Sequence, residues 1–319
     1  MIKTLAPVVS IALFLTGCVF VNLPAVAPLV EKTIGGTGAD KVLLVDISGV
    51  ITDETRGGVL GIQTESNLTA RIKEELTNAS GDRSIKAVVL RINTPGGSVT
   101  TCDIISHEIK NFKKRNNVAV VAELMDVAAS GGYYIAASAD RIIAHPTTVT
   151  GSIGVVAFNL NASGLMEKIG VTNQTIKSGD KKDMGSPFKP MTGDEREILQ
   201  SVIDGMYERF LDVVAEGRKG AISRADLRKA ADGRIYTAEQ ALSLKLIDSV
   251  GYLDDAVETA KSLAGIKEAR LVTYAGPRDY RNNMYSSAAA KTAAGLSLIN
   301  IDTSLYAKFG MNFMYVWMP

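Results

Sequence analysis

Ser130 stands in Asp126-Val127-Ala128-Ala129-Ser130-Gly131-Gly132-Tyr133-Tyr134, where a strand pattern over Val118–Leu124 gives way to a helical one over Tyr133–Ala139. A serine at such a junction exposes its hydroxyl at the mouth of a sheet. The amide of the next residue and the helix dipole then favour an oxyanion beside it. Pro95-Gly96-Gly97 follows the β-branched strand Ile85–Ile92. It offers a second backbone N–H that a substrate carbonyl reaches without meeting a side chain. The chemistry of that pair is attack by a hydroxyl on a carbonyl. Either turn alone also serves tight packing; two on consecutive βα units make the chemical reading the sharper one.

A nucleophilic serine needs a base. His145 follows Ser130 by 15 residues, but His145-Pro146 opens a loop and nothing in the pattern turns its ring back. His107 sits in mid-helix. Lysine is the alternative, because an amine desolvated in an apolar groove is neutral near physiological pH. Lys177, Lys181 and Lys182 lie together in Lys177–Pro187, and each by itself reads as a solvated loop charge. Two histidines and two cysteines are too few for a multi-histidine or cysteine-rich metal centre, so neither metal nor cofactor is expected. Lys and Arg number 35 against 34 Asp and Glu, which gives no case for nucleic acid.

Strand and helix patterns alternate around these residues, which predicts an α/β chain with a mostly parallel sheet. Lys41–Ile47 reads as a buried strand, and Asn67–Ala79 as a helix capped by Ser66. Ser98 caps a helix whose inner face is Val99, Cys102, Ile105, Ile109 and Phe112. Arg141–Ala144 and Gly154–Phe158 are short strands. Glu195–Gly217 is a long amphipathic helix with Ile198, Val202, Met206, Phe210 and Val213 on one face. Helices at 223–231, 238–244 and 253–263 follow.

The N-terminus carries no charge between Lys3 and Glu31, yet its strongly apolar block Leu5–Leu15 is only 11 residues long. That suits a signal-peptide core better than a spanning helix. Leu15-Thr16-Gly17-Cys18 closes it and looks like a bacterial lipobox. Residues 1–17 are therefore expected to be a lipoprotein signal and Cys18 a lipidated first residue, held by membrane lipid. Residues 18–40, with Pro24, Pro28 and Gly35-Gly36-Thr37-Gly38, read as a flexible tether. The expected place is the bacterial cell envelope, with the folded body outside the cytoplasm.

Ser130-Gly131-Gly132-Tyr133-Tyr134 after Ala128-Ala129, with Thr94-Pro95-Gly96-Gly97 upstream, resembles the signal peptide peptidase A family of Ser–Lys serine proteases. Thr150–Val155, Gly179-Asp180-Lys181-Lys182, Asp232–Ala241 and Leu246-Ile247-Asp248 match its later motifs, in order, from about Lys41 to Leu263. The resemblance implies a crotonase/Clp-protease-like spiral of ββα units with C-terminal helices. It implies Ser130 as nucleophile and Lys182 as general base, since Gly-x-x-Lys starts at Gly179. Gly97 and Gly131 align with the oxyanion-hole amides, and Ser152 with a serine that orients the lysine. Asp180 and Lys181 depart from the family pattern.

The long form of that family has two repeats; this chain has one and resembles the short form, a ring-like homo-oligomer. The peptidase domain is placed at 41–275. The tail 276–319 matches no family motif, and three placements are open for it: on the oligomer, free, or in the active-site groove as a self-substrate. The expected function is a membrane-tethered endopeptidase that cuts apolar peptides such as leftover signal peptides. Two other readings stand beside it: a crotonase-type acyl-transfer enzyme, and a noncatalytic envelope lipoprotein scaffold.

Overall fold

Ile85–Thr94 is buried at nearly every position, on both faces, as a central parallel strand must be. A computed structural model describes residues 28–53, 67–277, 279–286 and 312–318. The expected signal segment and Cys18 lie outside the described residues, as do 287–311 of the tail. Among the described residues no helix is long and apolar enough to cross a membrane.

The chain begins with strands β1 (Val30–Gly36) and β2 (Lys41–Ser48), helix α1 (Leu68–Ser80), then β3 (Ile85–Thr94) and the short β4 (Gly96–Ser98). Helix α2 (Val99–Asn116), strand β5 (Ala119–Ala129) and helix α3 (Gly131–Ala136) come next. Strands β6 (Arg141–Ala144), β7 (Val149–Gly151) and β8 (Val156–Ala157) lead to α4 (Ser163–Lys168) and the long α5 (Gly193–Gly217). Then follow α6 (Arg224–Ala230), β9 (Ile235–Thr237), α7 (Ala238–Ser243), β10 (Ser249–Val250), α8 (Leu253–Ala264), β11 (Arg270–Ala275) and β12 (Phe313–Val316).

Nine strands form one sheet in the order β1-β11-β2-β3-β5-β6-β10, with β7 beside β5 and β9 beside β7. Pairing is parallel from β11 to β10 and antiparallel only at β1–β11 and β7–β9. Alternation along β2 sends Leu43, Val45 and Ile47 to one face, where Ile72 and Leu76 of α1 and Ile105 and Ile109 of α2 meet them. Val42 and Leu44 face the other side, under Leu253, Ala256 and Ala260 of α8. This is the α/β, parallel-dominated architecture that the strand and helix patterns predict.

Four expectations need correction. The tether does not run to residue 40: Val30–Gly36 adds to the sheet edge, with Val30 opposite Ala275 and Gly36 opposite Arg270. Its glycines hid a strand whose pairing partner, Arg270–Ala275, lies near the far end of the sequence. Asn67 caps α1, its Oδ1 accepting from the Ala70 N–H at 2.8 Å. The strand expected at 154–158 is reduced to the two residues of β8, and the short β7 before it was not expected. In α5, Ile198 and Val202 are more than a third exposed, while Leu199, Leu211 and Val214 are buried instead.

On the α8 side, Asp46, Arg91 and Glu123 stand in register on three adjacent strands. Arg91 pairs with Asp46 at 3.0 Å, but both Glu123 carboxylate oxygens are buried with no partner among the described residues. Burial, and after it the Asp255 carboxylate, pushes Glu123 up to about 9. Unfolded, Glu123 loses its proton near the ordinary 4.5; folded, it keeps it, so stability falls as pH rises from 4.5 towards 9. Glu123→Gln has no proton to lose. It should unfold like the wild type near pH 4 and be more stable at pH 8 by on the order of 3 kcal/mol. Parallel pH profiles of Tm for the two proteins would contradict this.

Candidate active site

Strand β5 pairs with β7 through Ala129 and Gly151, and the next residue in each chain segment is a serine. Ser130 takes φ 52° and ψ −113°, and Ser152 takes φ 49°, a half of backbone space that side-chain-bearing residues rarely enter. Ser130 is held there from both sides: its N–H donates to the Gly151 carbonyl at 2.8 Å, and its carbonyl accepts from the Tyr134 N–H at 2.8 Å. The Ser152 N–H donates to the Arg234 carbonyl at 2.7 Å. Ser130 is only 1% exposed, and its Oγ has no hydrogen-bond partner among the described residues. A buried hydroxyl left unpaired costs about 1–3 kcal/mol, and a strained torsion a similar amount. Both penalties fall on one residue.

Glycine is required at the two turns that face it. A Cβ on Gly131 would fall 2.4 Å from the Cys102 Sγ, and one on Gly97 1.9 Å from the Ile51 carbonyl oxygen. The Ile51 N–H donates to Gly96 and the Ile51 carbonyl accepts from Ser98, at 2.9 and 2.8 Å. Residues alternate along a strand, so the N–H of Gly97, between those two, points the other way, into the cleft. Sequence reasoning placed Ser130, Gly131, Gly97 and Ser152 together, and the fold does bring these four to one cleft at the C-terminal ends of β3, β5 and β7.

Lys182 is not brought there within the chain. It lies in the exposed segment between α4 and α5, its N–H donating to the Gly179 carbonyl at 3.0 Å. Its neighbours are engaged: Lys177 pairs with Asp183 at 2.8 Å and Lys181 with Asp194 at 3.2 Å. Among the described residues Lys182 has no hydrogen-bond or ion-pair partner through its amine, and it does not reach Ser130. The histidines do not supply a base either. His145 Nδ1 lies 2.9 Å from the Thr147 hydroxyl and its ring packs edge-on against Tyr252, while His107 Nε2 meets Asn111 at 2.6 Å. Burial raises the Cys102 thiol far above the usual range, which removes it as a nucleophile.

Of the three placements left open for the tail, its described last residues take the one in the groove. Strand β12 of the tail lies antiparallel between β4 and β8, pairing Tyr315 with Gly97 and Met314 with both Ser98 and Val156. Tyr315 is fully buried against Tyr134 and Phe210, with ring centroids at 5.0 and 4.7 Å. The signal was present: Phe313, Tyr315 and Trp317 alternate with period two, as strand residues do.

An α/β fold with an unpaired serine at a strand-to-helix junction, backed by two glycine turns, belongs to the class of Clp-protease-like serine peptidases; the Clp protease family model matches residues 44–150. The model of peptidase family S49 matches residues 112–267, and the chain belongs to that family and is a serine peptidase. It is 36% identical to an Enterococcus faecium protein named for signal peptide peptidase SppA, over 77% of this chain and 70% of that protein. It is 32% identical to the chloroplastic serine protease SPPA of Arabidopsis thaliana, over 86% of this chain and 39% of the other. Protease 4 of Haemophilus influenzae is 33% identical over 72% of this chain, which spans 36% of that protein. Family membership sets aside the acyl-transfer and scaffold readings.

Ser130→Ala keeps the backbone torsion but deletes the unpaired hydroxyl, and its Tm should equal or exceed that of the wild type by up to about 1 kcal/mol in stability. A loss of more than about 1 kcal/mol would show that Oγ has a structural partner.

Proposed function

We propose that the protein is a Ser–Lys endopeptidase whose site is completed by a second copy of the chain. Ser130 Oγ attacks the substrate carbonyl, and the neutral amine of Lys182 takes the Oγ proton. Amides at Gly97 and Gly131 stabilise the oxyanion, and Ser152, beside Ser130, orients the amine. The lysine then protonates the leaving amine, and water hydrolyses the acyl-serine ester.

One observation carries this reading: Ser130 is strained and buried, and among the described residues its hydroxyl is unpaired and no base of its own chain reaches it. The lysine that the family motif selects is the one of its loop left without a carboxylate. Around that lysine the chain exposes apolar side chains that a second copy would cover. Leu160, Leu165 and Ile169 are each more than half exposed and Ile176 is 99% exposed, with Ile198 and Val202 of α5 beside them in sequence. Exposed apolar surface of that extent marks an interface. A homo-oligomeric ring in which each lysine serves its neighbour uses both features.

Apolar peptides, including signal peptides left after secretion, suit a cleft lined by Tyr134 and Phe210. Lipid at Cys18 would hold the enzyme at the membrane that delivers them, in the bacterial envelope with its catalytic domain outside the cytoplasm. Cys18→Ser should abolish labelling by a fatty-acid analogue; unchanged labelling would place the lipid elsewhere.

The shared site is tested by co-expressing Ser130→Ala with Lys182→Ala under two affinity tags, each variant being inactive alone. Random mixing leaves roughly a quarter of interfaces with both groups intact, so up to about a quarter of wild-type peptidase activity should return. A site within one chain stays dead in every mixture, and confirmed mixed rings without activity would refute the shared site. In the wild type kcat/KM should rise with pH, on the alkaline side of the histidine range near pH 6–7. Lys181→Ala should keep most of the activity.

A further inference from the structure

Thr94 is the last residue of β3, fully buried, and its side chain reaches both of the glycine turns that face Ser130. Its Oγ1 accepts from the Gly96 N–H at 3.0 Å and donates to the Gly49 carbonyl. Its methyl carbon lies 2.8 Å from where a Cβ on Gly132 would stand, and its carbonyl oxygen 3.1 Å from the same point. The hydroxyl therefore grips one turn while the methyl abuts the other.

The first contact decides where an amide points. Gly96 takes φ 101°, and with its N–H tied back to Thr94 its carbonyl accepts from the Ile51 N–H at 2.9 Å. The peptide plane is rigid and trans, so the Gly97 N–H, which shares that plane, must point the opposite way, into the cleft. The second contact fixes the other turn. Strands β3 and β5 lose register between Ile92 and Thr94, and pairing resumes at Thr94–Ala128, two residues before Ser130. Across the irregularity the Asn93 Oδ1 accepts from the Val127 N–H at 3.1 Å. Thr94 is thus where the strand leading to one amide regains its hold on the strand leading to the nucleophile. The two turns touch there, since the Gly131 nitrogen lies 2.7 Å from where a Cβ on Gly96 would stand.

We propose that Thr94 is the positioning residue of the oxyanion hole, aiming the Gly97 and Gly131 amides at one point through its hydroxyl and its methyl. The inference rests on the Ser–Lys reading, in which those two amides bind the oxyanion. A tetrahedral intermediate needs both donors within hydrogen-bond reach of one oxygen, and a misplacement of about 1 Å costs about 100-fold in rate. Valine has the shape of threonine without the hydroxyl. It would strip the Gly96 N–H and the Gly49 carbonyl of their partner and free the shared peptide plane to turn. Serine keeps the hydroxyl and loses only the methyl. Donors that tighten on the transition state act on kcat and leave KM in place.

The test uses the full-length, assembled enzyme, a blocked trileucine coumarin amide as substrate, and the matching trileucine aldehyde and alcohol as inhibitors. Ser130 Oγ adds to the aldehyde carbon and places its oxygen in the hole, whereas the alcohol binds the cleft with no carbonyl to attack. Thr94→Val should lower kcat about 30- to 300-fold with KM within about 3-fold, and weaken the aldehyde by a similar factor relative to the alcohol. Thr94→Ser should stay within about 5-fold of the wild type in both readouts. A threonine with only a structural role would lower Tm and leave the aldehyde-to-alcohol ratio alone, so an unchanged ratio in Thr94→Val overturns the proposal. If that variant does not assemble, Thr94→Ser and Thr94→Cys are compared, since they are close in shape and the thiol is a weak hydrogen-bonding group. The cysteine variant should then fall at least about 10-fold below the serine variant in that ratio, and equality overturns the proposal. Wild-type rings that cut the substrate yet bind the aldehyde no more tightly than the alcohol overturn the oxyanion-hole reading itself, and this inference with it.

Discussion

The backbone torsion of Ser130 is the constraint on which the rest depends. With φ at 52°, the chain leaves β5 and turns at once into α3, so that the hydroxyl and the first helical amides face the same cleft. The torsion is not favoured by the residue itself. It persists because the Gly151 carbonyl and the Tyr134 amide clamp Ser130 fore and aft, and because β7 is locked to β5 and β9. The Gly131 and Gly96 backbones then approach so closely that no side chain fits between them. Stability is spent at this one point and recovered in the parallel sheet and its two apolar layers, which are far larger than the site.

The cleft so formed is complete on its binding side and incomplete on its proton-transfer side. Strands β4 and β8 flank the cleft, and the extended β12 adds to both by main-chain pairing, with Tyr315 falling into a pocket. Among the described residues, nothing in the same chain takes the proton from Ser130. The exposed segment from Phe158 to Phe188 carries both the unpaired lysine and the uncovered apolar side chains, so in the proposed shared site chemistry and assembly would be tied to one stretch of sequence.

Much of this was legible in the residues. The strand-helix alternation gave the parallel sheet, because the β-branched runs at 41–47, 85–92 and 118–124 are buried on both faces and leave no ambiguity of period. Ser130, Gly131 and the Gly96-Gly97 turn were found by type and spacing, since a nucleophile needs small-residue turns beside it, whereas Ser152 came only from the family resemblance. The edge strand β1 was not, because Gly35, Gly36 and Gly38 suggest a linker and its partner β11 lies far along the chain. Ile198 and Val202 fit the helical period yet face outward, since periodicity tells which residues share a face and not what covers it. Ser130's torsion has no sequence signature, because serine is the wrong residue for it. The tail was read as an aromatic segment with the groove among its possible places; only the fold shows that its strand partners are the Gly96–Ser98 edge and Val156–Ala157.

The central claim is that Ser130 is activated across a subunit boundary by Lys182. It is tested most directly by the rate at which a fluorophosphonate modifies the protein, with the adduct mapped by peptide mass spectrometry. In assembled wild-type protein the adduct should form on Ser130 alone, and Lys182→Ala should slow it by at least about 100-fold while the ring stays intact. An adduct on another serine, or a Ser130 adduct that forms equally fast without Lys182, would contradict the account.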